Sequence, residues 1–368
     1  MHNRSLHLLS FSLAIALAVG LDHARTAWAA SAKEDSVSAE LHWQQLPPLP
    51  DREGFAAPFT GVSGRALIVA GGANFPQRRP WDGGTKVWYD SIFLLPHAGG
   101  PWKVVGQLPR PVAYGISVTV PEGVVCVGGG DAQGHFRDVF RLHWTGQRIE
   151  VVSLAPLPKA CAFASGALLD HTLYVVGGIE RPDSTDCLKT LWSLDLSRPD
   201  AAWQELPACP GPERMLATAG AAQGSFYLFS GTRLTRGSDG KPVREYLRDA
   251  WRYTPGRDWQ RLADLPRSAV AAPSPAPLMR GTQLLVISGD DGTRLGFKPE
   301  TEHPGFPRDV LAYDLRRDVW TVPGTAPFSL ATAPTAVWEG RAVIANGEAR
   351  PGYRTPAVWT LLTDEGGR

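Results

Sequence analysis

The chain has 368 residues, and its 37 basic and 36 acidic side chains give a formal net charge of +1. A balance this close to neutral, with no block of like charge, argues against nucleic acid or another polyanion as the binding partner. The 39 glycines and 32 prolines indicate many short strands joined by turns, and no helical periodicity extends far enough to indicate a helical domain.

The first 29 residues have the pattern of a secretory signal peptide. Arg4 supplies a positive charge, residues 6–21 are largely apolar, and Ala27-Trp28-Ala29 matches the small-x-small pattern of a cleavage site. The apolar stretch is short for a membrane span. We therefore expect cleavage after Ala29, export to the periplasm, no membrane insertion, and a flexible leader over residues 30–40. A retained membrane anchor is the alternative.

A short apolar run that ends in a small residue and a glycine, Gly-Gly in the first three cases, recurs six times. The runs end at Gly72, Gly129, Gly178, Gly231, Gly289 and Gly347, with successive spacings of 57, 49, 53, 58 and 58 residues. A period near 50 residues with strands that end in paired glycines is typical of kelch repeats, which form β-propellers. The sequence therefore predicts one blade per repeat.

A second signal recurs in phase with the glycines. About 30 residues after each of the first five, an aromatic or aliphatic residue leads into a Leu/Pro stretch, at Trp102, Ile149, Trp203, Trp259 and Trp320. Such a stretch fits the outermost strand of a blade, where proline is tolerated. The sixth repeat lacks it, and LHWQQLPPLP at residues 41–50 can supply it. We therefore predict one all-β domain over residues 41–368, a six-bladed kelch-type propeller whose ring is closed by the N-terminal strand.

The four cysteines have no metal-binding spacing. Cys126 lies inside a predicted strand, and Cys161 lies in a loop that enters an inner strand. Cys187 and Cys209 fall in the third repeat, where an exported protein could oxidise them to a disulfide or leave them free. Because no CxxC, HxH or HExxH pattern exists, we expect no metal site and no cofactor.

Propeller topology brings two sets of loops to one face, namely those that enter the inner strands and those that follow the glycine pairs. Arg110, Tyr114 and Arg214 belong to the first set, and Asn74 belongs to the second. Loops on a rigid scaffold are where binding residues concentrate. Arginines and carboxylates on one rim suit a small anionic ligand, although each residue could equally serve as a turn residue or in an ion pair between blades.

The last of these loops is NGEARPGYRT, residues 346–355. Its Pro-Gly pair favours a type II turn, which brings Arg354 back towards Glu348. An ideal hairpin would pair Arg354 with Ala349, so the spacing predicts proximity but not a shared facing direction. A carboxylate can move protons while a guanidinium binds a substrate carboxylate. A salt bridge that only braces the hairpin is the alternative.

The string NGEARPGYRT resembles the NGEA-x-PG-x-RT motif of bacterial N-acetylneuraminate epimerases, the sialic acid mutarotases. GGANFP at residues 71–76, AYGIS at 113–117 and GPER at 211–214 also match. In that family the NGEA blade precedes the GGA-x-F blade, whereas here it is the last one. The chain therefore resembles the cyclically permuted mutarotase branch, and a closed ring tolerates such permutation.

The resemblance implies an isomerase that interconverts the α and β anomers of N-acetylneuraminate by acid–base ring opening and closure. It implies that Glu348 transfers the proton, and that Arg354 binds the sugar carboxylate or the developing oxyanion. Arg214, Tyr114, Asn74 and Arg110 are the candidate substrate contacts. The expected partner is a small sugar acid, with a monomer or homodimer as the assembly. A non-catalytic propeller that binds carbohydrate or protein, and a mutarotase of another sugar acid, are the alternatives.

Overall fold

The computed structural model describes residues 41–238 and 240–363. The signal peptide and the leader predicted for residues 1–40 lie outside the described residues. Regular structure in the described part is almost entirely β, apart from two single 3-10 turns at Pro80–Asp82 and Glu300–Glu302. Neither of these turns has the length or the apolar character that a membrane-spanning helix needs.

The first half of the described chain contributes fifteen strands. In chain order they are β1 (Trp43–Leu46), β2 (Phe59–Ser63), β3 (Ala66–Ala70), β4 (Ala73–Asn74), β5 (Val87–Trp88), β6 (Ser91–Leu95), β7 (Lys103–Gln107), β8 (Ile116–Val120), β9 (Gly123–Val127), β10 (Val139–Trp144), β11 (Ile149–Ser153), β12 (Ser165–Leu169), β13 (Thr172–Val176), β14 (Leu191–Asp195) and β15 (Gln204–Leu206).

The second half contributes fifteen more. They are β16 (Thr218–Ala222), β17 (Ser225–Phe229), β18 (Thr232–Arg236), β19 (Pro242–Tyr246), β20 (Ala250–Tyr253), β21 (Trp259–Leu262), β22 (Leu278–Met279), β23 (Gln283–Ile287), β24 (Asp309–Asp314), β25 (Val319–Thr325), β26 (Thr335–Trp338), β27 (Arg341–Ala345), β28 (Glu348–Arg350), β29 (Tyr353–Arg354) and β30 (Val358–Leu362).

Six four-stranded antiparallel sheets form the blades. In order of inner to outer strand they are blade 1 (β2-β3-β6-β7), blade 2 (β8-β9-β10-β11), blade 3 (β12-β13-β14-β15), blade 4 (β16-β17-β20-β21), blade 5 (β22-β23-β24-β25) and blade 6 (β26-β27-β30-β1). Strand β1 pairs with β30, with Trp43 opposite Leu361. The prediction of a six-bladed propeller closed by the N-terminal strand is therefore confirmed.

The glycine repeat follows from packing on both faces of each second strand. All five residues of β3, β9 and β17 are buried, which explains the uninterrupted apolar runs. Each run ends where the chain must turn in little space. Gly72 has a φ of 99°, and a Cβ added there would lie 2.6 Å from the Cβ of Phe55. Only glycine fits such a position without strain.

The tryptophan repeat joins successive blades. Four indole N–H groups from the outer edges of blades 1, 3, 4 and 5 donate hydrogen bonds to carbonyl oxygens that follow the outer strand of the preceding blade. The pairs are Trp102 to Pro47, Trp203 to Ala155, Trp259 to Pro207 and Trp320 to Ala263, at 2.7–2.9 Å. Each outer edge is thereby bonded to its neighbour as well as packed against it.

A ring of backbone hydrogen bonds joins the inner ends of the blades. In the segment that leads into each inner strand, two to seven positions before the strand, one residue has a left-handed backbone. Its amide donates to the carbonyl of the equivalent residue in the preceding blade, at 2.7–3.1 Å. These six residues, which we call the collar, are Ala57, Tyr114, Phe163, Leu216, Ala271 and Thr332. Because Ala57 donates to Thr332, the ring is closed, and it fixes the points from which the loops on this face depart.

The four cysteines are free and buried, so the disulfide between Cys187 and Cys209 is not formed. The Cys187 thiol instead faces the carbonyl oxygen of Thr232 at 3.8 Å. Burial raises the pKa of both Cys187 and Cys209 to about 11. Since the thiolate is the reactive form, neither residue should react readily near neutral pH.

We expect the native protein to resist thiol labelling by Ellman's reagent at pH 8. Unfolding in guanidinium without reductant should release all four thiols, because none is engaged in a disulfide. The measurement is the number of thiols titrated per chain before and after unfolding. If the unfolded, unreduced protein gave only two, a disulfide would be present and this description of the third repeat would be wrong.

Candidate functional site

The hairpin β28–β29 carries the two predicted catalytic residues on one face of the ring. Glu348 lies directly opposite Arg354, and Arg350 lies opposite Tyr353. A β-bulge leaves Ala349 without a partner on the other strand, so the pairing differs by one residue from that of an ideal hairpin. A bulge of this kind re-aims a side chain. It gives Glu348 and Arg354 the shared facing direction that the spacing alone did not predict.

The carboxylate of Glu348 is held by two donors on one oxygen. The Nη1 of Arg354 donates to Oε1 at 2.7 Å, and the amide of Gly352 donates to the same oxygen at 2.8 Å. The Arg354 side chain is 4% exposed and that of Glu348 is 20% exposed. Within the described ranges Oε2 has no hydrogen-bond partner. The carboxylate is therefore fixed in orientation while one of its oxygens remains available.

The backbone of Glu348 is bonded to the segment that leads into the collar. Its amide donates to the carbonyl of Ala331 at 2.8 Å, and the amide of Ala331 donates back at 2.9 Å. Ala331 immediately precedes the collar residue Thr332. The ion pair is thus placed beside the mouth of the central channel by rigid backbone contacts, which is how a scaffold holds a reactive group in position.

Aromatic side chains pack against the ion pair and against the arginines beside it. The guanidinium of Arg354 lies 5.1 Å from the ring centroid of Phe75, which comes from blade 1. The next ring, Tyr353, has the guanidinium groups of Arg79 and Arg350 at 4.3 and 3.9 Å from its centroid. Such cation–π contacts restrain long side chains that would otherwise move. Blades 1 and 6 therefore build this part of the rim together.

Lys86 is a rim residue that sequence reasoning missed. It precedes β5 in the loop after the first glycine pair, and its Nζ donates a hydrogen bond to the hydroxyl of Tyr114 at 3.1 Å. The same Nζ lies 5.7, 5.6 and 5.0 Å from the ring centroids of Phe75, Trp88 and Tyr114. The sequence TKVWYD offered a signal, a single lysine followed by two aromatic residues in a post-glycine loop.

Tyr114 lies where the sequence placed it, at the mouth. It is a collar residue with a φ of 64°, and its ring packs on that of Phe163 with the centroids 4.6 Å apart. Both residues line the opening of the channel. Its hydroxyl, which accepts the hydrogen bond from Lys86, is the polar group it offers to a ligand. Its role as a substrate contact stays a prediction.

Asn74 does not reach the opening. It is 1% exposed, its amide nitrogen donates to the carbonyl of Gly54 at 2.9 Å, and its amide oxygen accepts from the Tyr89 hydroxyl at 2.9 Å. Both ends of the side chain are used within the protein. The geometry therefore gives Asn74 a bracing role at the start of the blade 1 loop, and the ligand contact expected from sequence stays a prediction.

Arg214 is buried in an ion pair away from the rim. Its guanidinium makes two bonds to the Asp249 carboxylate, at 2.8 and 2.6 Å, and others to the carbonyls of Pro212 and Ser230. The two side chains are 2% and 9% exposed. A guanidinium occupied in this way has a structural role within blade 4, and the substrate contact expected from sequence stays a prediction.

Arg110 is exposed and lies outside the mouth. It stacks at 4.6 Å on the ring of Phe136 and approaches Asp138 at 3.4 Å, with both charged side chains about half exposed. It does not line the channel opening. The structure therefore does not bring Arg110 together with Glu348 and Arg354 as the substrate contact expected from sequence.

The channel itself is narrow and uncharged. Its opening, with a volume of about 80 Å³, is bounded by the collar and by the first residues of the inner strands, which include Gly115, Ser165 and Ala217. This space holds a few water molecules but no sugar. Within residues 41–238 and 240–363, no charged side chain lines it. A ligand the size of a sugar would therefore lie outside this opening, on the side of the collar.

Comparisons with known proteins agree with the sequence motifs. A family model described as N-acetylneuraminate epimerase matches residues 20–151. That region contains GGANFP and AYGIS and does not contain the NGEARPGYRT loop. The N-acetylneuraminate epimerase of Brucella suis is 40% identical over 126 residues, which cover 30% of this chain and 32% of the relative. The N-acetylneuraminate epimerase of Yersinia enterocolitica is 31% identical over 230 residues, which cover 55% of this chain and 56% of the relative.

The matched segments thus span between about a third and just over half of the length of these curated relatives. A solved structure titled "Structure of YjhT" superposes with a TM-score of 0.64 at 16% identity, covering 88% of this chain and 98% of the other. At that identity the superposition supports the fold alone. The sequence matches add the family resemblance: over part of its length this chain is similar to the N-acetylneuraminate epimerases, as its motifs indicated.

Proposed function

We propose that this protein is a mutarotase that interconverts the α and β anomers of N-acetylneuraminate. One observation carries the proposal. The bulged hairpin sets Glu348 opposite Arg354 at the mouth of the propeller, with one carboxylate oxygen held by two donors and the other free. The named relatives of the chain are N-acetylneuraminate epimerases, and the motif that carries Glu348 resembles theirs.

The chemistry needs only proton transfer. The free oxygen of Glu348 takes the proton of the anomeric hydroxyl, the bond between the anomeric carbon and the ring oxygen breaks, and the ring oxygen gains a proton from an acid or from water. The open-chain ketone turns its other face, and closure reverses both transfers. Because mutarotation also proceeds unaided in water, help of about 10²- to 10⁴-fold is what general acid–base catalysis can supply.

We assign Arg354 to holding Glu348. Its Nη1 is committed to the carboxylate and its face packs on Phe75. A guanidinium so engaged keeps the carboxylate aimed while the substrate arrives. This assignment modifies the expectation from sequence, in which Arg354 would bind the carboxylate of the sugar or the developing oxyanion.

We also propose that the chain is exported to the periplasm and that it represents the cyclically permuted branch of the family. The first part rests on the signal-peptide pattern of residues 1–29. The second rests on the order of the motifs, with GGANFP in the first blade and NGEARPGYRT in the last. A cyclic permutation would split a linear match to the family, and a match confined to residues 20–151 is compatible with that.

Proton NMR of freshly released α-N-acetylneuraminate tests the proposed activity. With the purified protein, the α signal should decay to its equilibrium level at a rate that rises in proportion to protein concentration. The control is the same solution with heat-denatured protein. A folded protein that binds the sugar, seen as broadened sugar signals, and leaves the decay rate at the buffer value would be a binding propeller and not a mutarotase.

A further inference from the structure

We infer that Lys86 binds the carboxylate of the sugar acid and that this lysine sets the preference of the site for a charged sugar. The inference rests on the proposed function and names a substrate contact that the pair of Glu348 and Arg354 does not supply. It follows from the charges on the rim, from the surroundings of the Lys86 amine, and from its position relative to Glu348.

The neighbouring cations already have carboxylate partners. Arg354 is paired with Glu348 at 2.7 Å, and Arg79, which stacks beside the same hairpin, is paired with Glu53 at 2.7 Å. Lys86 makes no ion pair with any carboxylate of the described residues. An ammonium that lies on the rim without a counter-ion is the group with most to gain from an incoming anion.

The remaining arginine of the hairpin points elsewhere. Arg350 donates from Nη1 to the carbonyl of Thr301 at 2.9 Å, and its guanidinium lies over Tyr353. Its donors are directed to the backbone of blade 5, whereas Lys86 is directed to the collar through Tyr114. Of these cations, Lys86 is therefore the one available to bind an anion at the mouth.

The surroundings of the amine favour a strong bond to an anion. Three aromatic rings lie within 6 Å of Nζ, and the side chain is partly buried. An ammonium has three donors, and this one uses a single hydrogen bond, to the Tyr114 hydroxyl. Partial removal from water strengthens a charge-assisted hydrogen bond to a carboxylate. The rings also restrain the lysine chain, which lowers the entropic cost of ordering it.

The position of the amine matches the geometry of the substrate. In N-acetylneuraminate the carboxylate and the anomeric hydroxyl are attached to the same carbon. A cation that binds the carboxylate must therefore lie close to the base that takes the anomeric proton. Phe75 supplies this link, because Arg354 and Lys86 lie 5.1 and 5.7 Å from its centroid. We therefore expect a sugar whose carboxylate lies on Lys86 to present its anomeric hydroxyl towards Glu348.

The test compares N-acetylneuraminate with its methyl ester, which keeps the anomeric centre and loses the negative charge. The wild type should convert the acid with a higher kcat/KM than the ester. Lys86→Met should lower kcat/KM for the acid by about 10- to 100-fold, the range of a lost charge-assisted hydrogen bond, with little change for the ester. Lys86→Arg should keep most of the preference for the acid.

Arg110→Met is the matched control, because Arg110 is also a rim cation stacked on an aromatic ring and the structure places it outside the mouth. It should leave the preference for acid over ester unchanged. If Lys86→Met lowered the rates for acid and ester equally, the lysine would be a brace for Tyr114 and the inference would fail. It would also fail if neither rate changed.

Binding measurements separate this inference from the proposed activity. The affinity of wild type and Lys86→Met for equilibrated N-acetylneuraminate and for its methyl ester can be compared by calorimetry or by saturation-transfer NMR. A wild type that binds the acid without accelerating anomer exchange would end the mutarotase proposal, while loss of acid binding in Lys86→Met would still support the carboxylate contact. A wild type that binds neither compound would overturn both.

Discussion

Replacing Glu348 with glutamine is expected to remove the acceleration of anomer interconversion and leave the propeller folded. Glutamine has the same shape, and its amide oxygen can still accept hydrogen bonds from Gly352 and Arg354, but the side chain cannot take a proton. The rate should therefore fall by about 10²- to 10⁴-fold, to that of the unaided reaction. The measurement is the initial decay rate of the α signal at equal protein concentrations.

The fold offers a matched control for this substitution. The hairpin β18–β19 of blade 4 also follows a glycine, and its Glu245 is also paired with an arginine, Arg233, at 2.7 Å. Glu245→Gln removes the same kind of charge from the same kind of hairpin, and we expect the wild-type rate. If Glu348→Gln kept most of the wild-type rate, or if both variants lost it equally, Glu348 would not be the proton-transfer group.

Replacing Arg214 with methionine is expected to cost about 3–5 kcal/mol of the free energy of unfolding, the usual cost of breaking a buried ion pair. Asp249, whose side chain is 9% exposed in the intact pair, would be left without its partner. The measurement is urea unfolding of wild type and variant. The double variant with Asp249→Leu should recover part of the loss, because it removes the stranded charge.

The same substitution distinguishes a structural Arg214 from a substrate contact. A variant of unchanged stability with a raised KM for N-acetylneuraminate would contradict the structural role and restore the one expected from sequence. At low temperature, where the variant stays folded, we expect a KM close to that of wild type, because the guanidinium does not reach the mouth.

The stability contributed by this pair should depend on pH in a defined direction. Burial by itself would raise the pKa of Asp249, but the hydrogen bonds and the charge of Arg214 outweigh it and lower that pKa below its usual value. A lowered folded-state pKa means that the contribution is fully present above the unfolded pKa of about 4 and is lost as the pH falls through the folded value. The stability difference between wild type and Arg214→Met should therefore shrink in acid below pH ~4.

The propeller was predictable because the backbone angle and the close packing at the end of each second strand require a particular residue, glycine. A position with the φ of Gly72 and a neighbour at the distance of Phe55 excludes any side chain, so the glycine recurs in every blade. The collar does not require any particular residue type. It is made of backbone hydrogen bonds, and the residues that form it range from Ala57 to Tyr114, so no residue type reveals it.

The site was predictable only in part. The Pro-Gly turn of the last loop brought Glu348 and Arg354 together, but the bulge at Ala349 that makes them face each other has no sequence signature. The position of Lys86 at the mouth was not predicted, because it depends on a contact between blades. The loop of blade 1 that carries Lys86 lies against Tyr114, which leads into blade 2.

The burial of Arg214 was not predictable for a related reason. Its burial depends on Asp249, which is distant in the sequence, and an arginine in a rim-facing loop looks the same whether or not such a partner exists. Local motifs therefore identified the hairpin that holds the candidate catalytic pair, whereas the roles of single charged residues depended on long-range pairing.

The most direct test of the central claim is exchange NMR on N-acetylneuraminate that has already reached equilibrium. A small amount of protein should produce exchange cross-peaks between the α and β signals and leave their ratio unchanged, since a catalyst speeds both directions equally. Glu348→Gln should produce none. A protein that shifted the α to β ratio in proportion to its own concentration, without exchange cross-peaks, would be selecting one anomer by binding, and the mutarotase account would be contradicted.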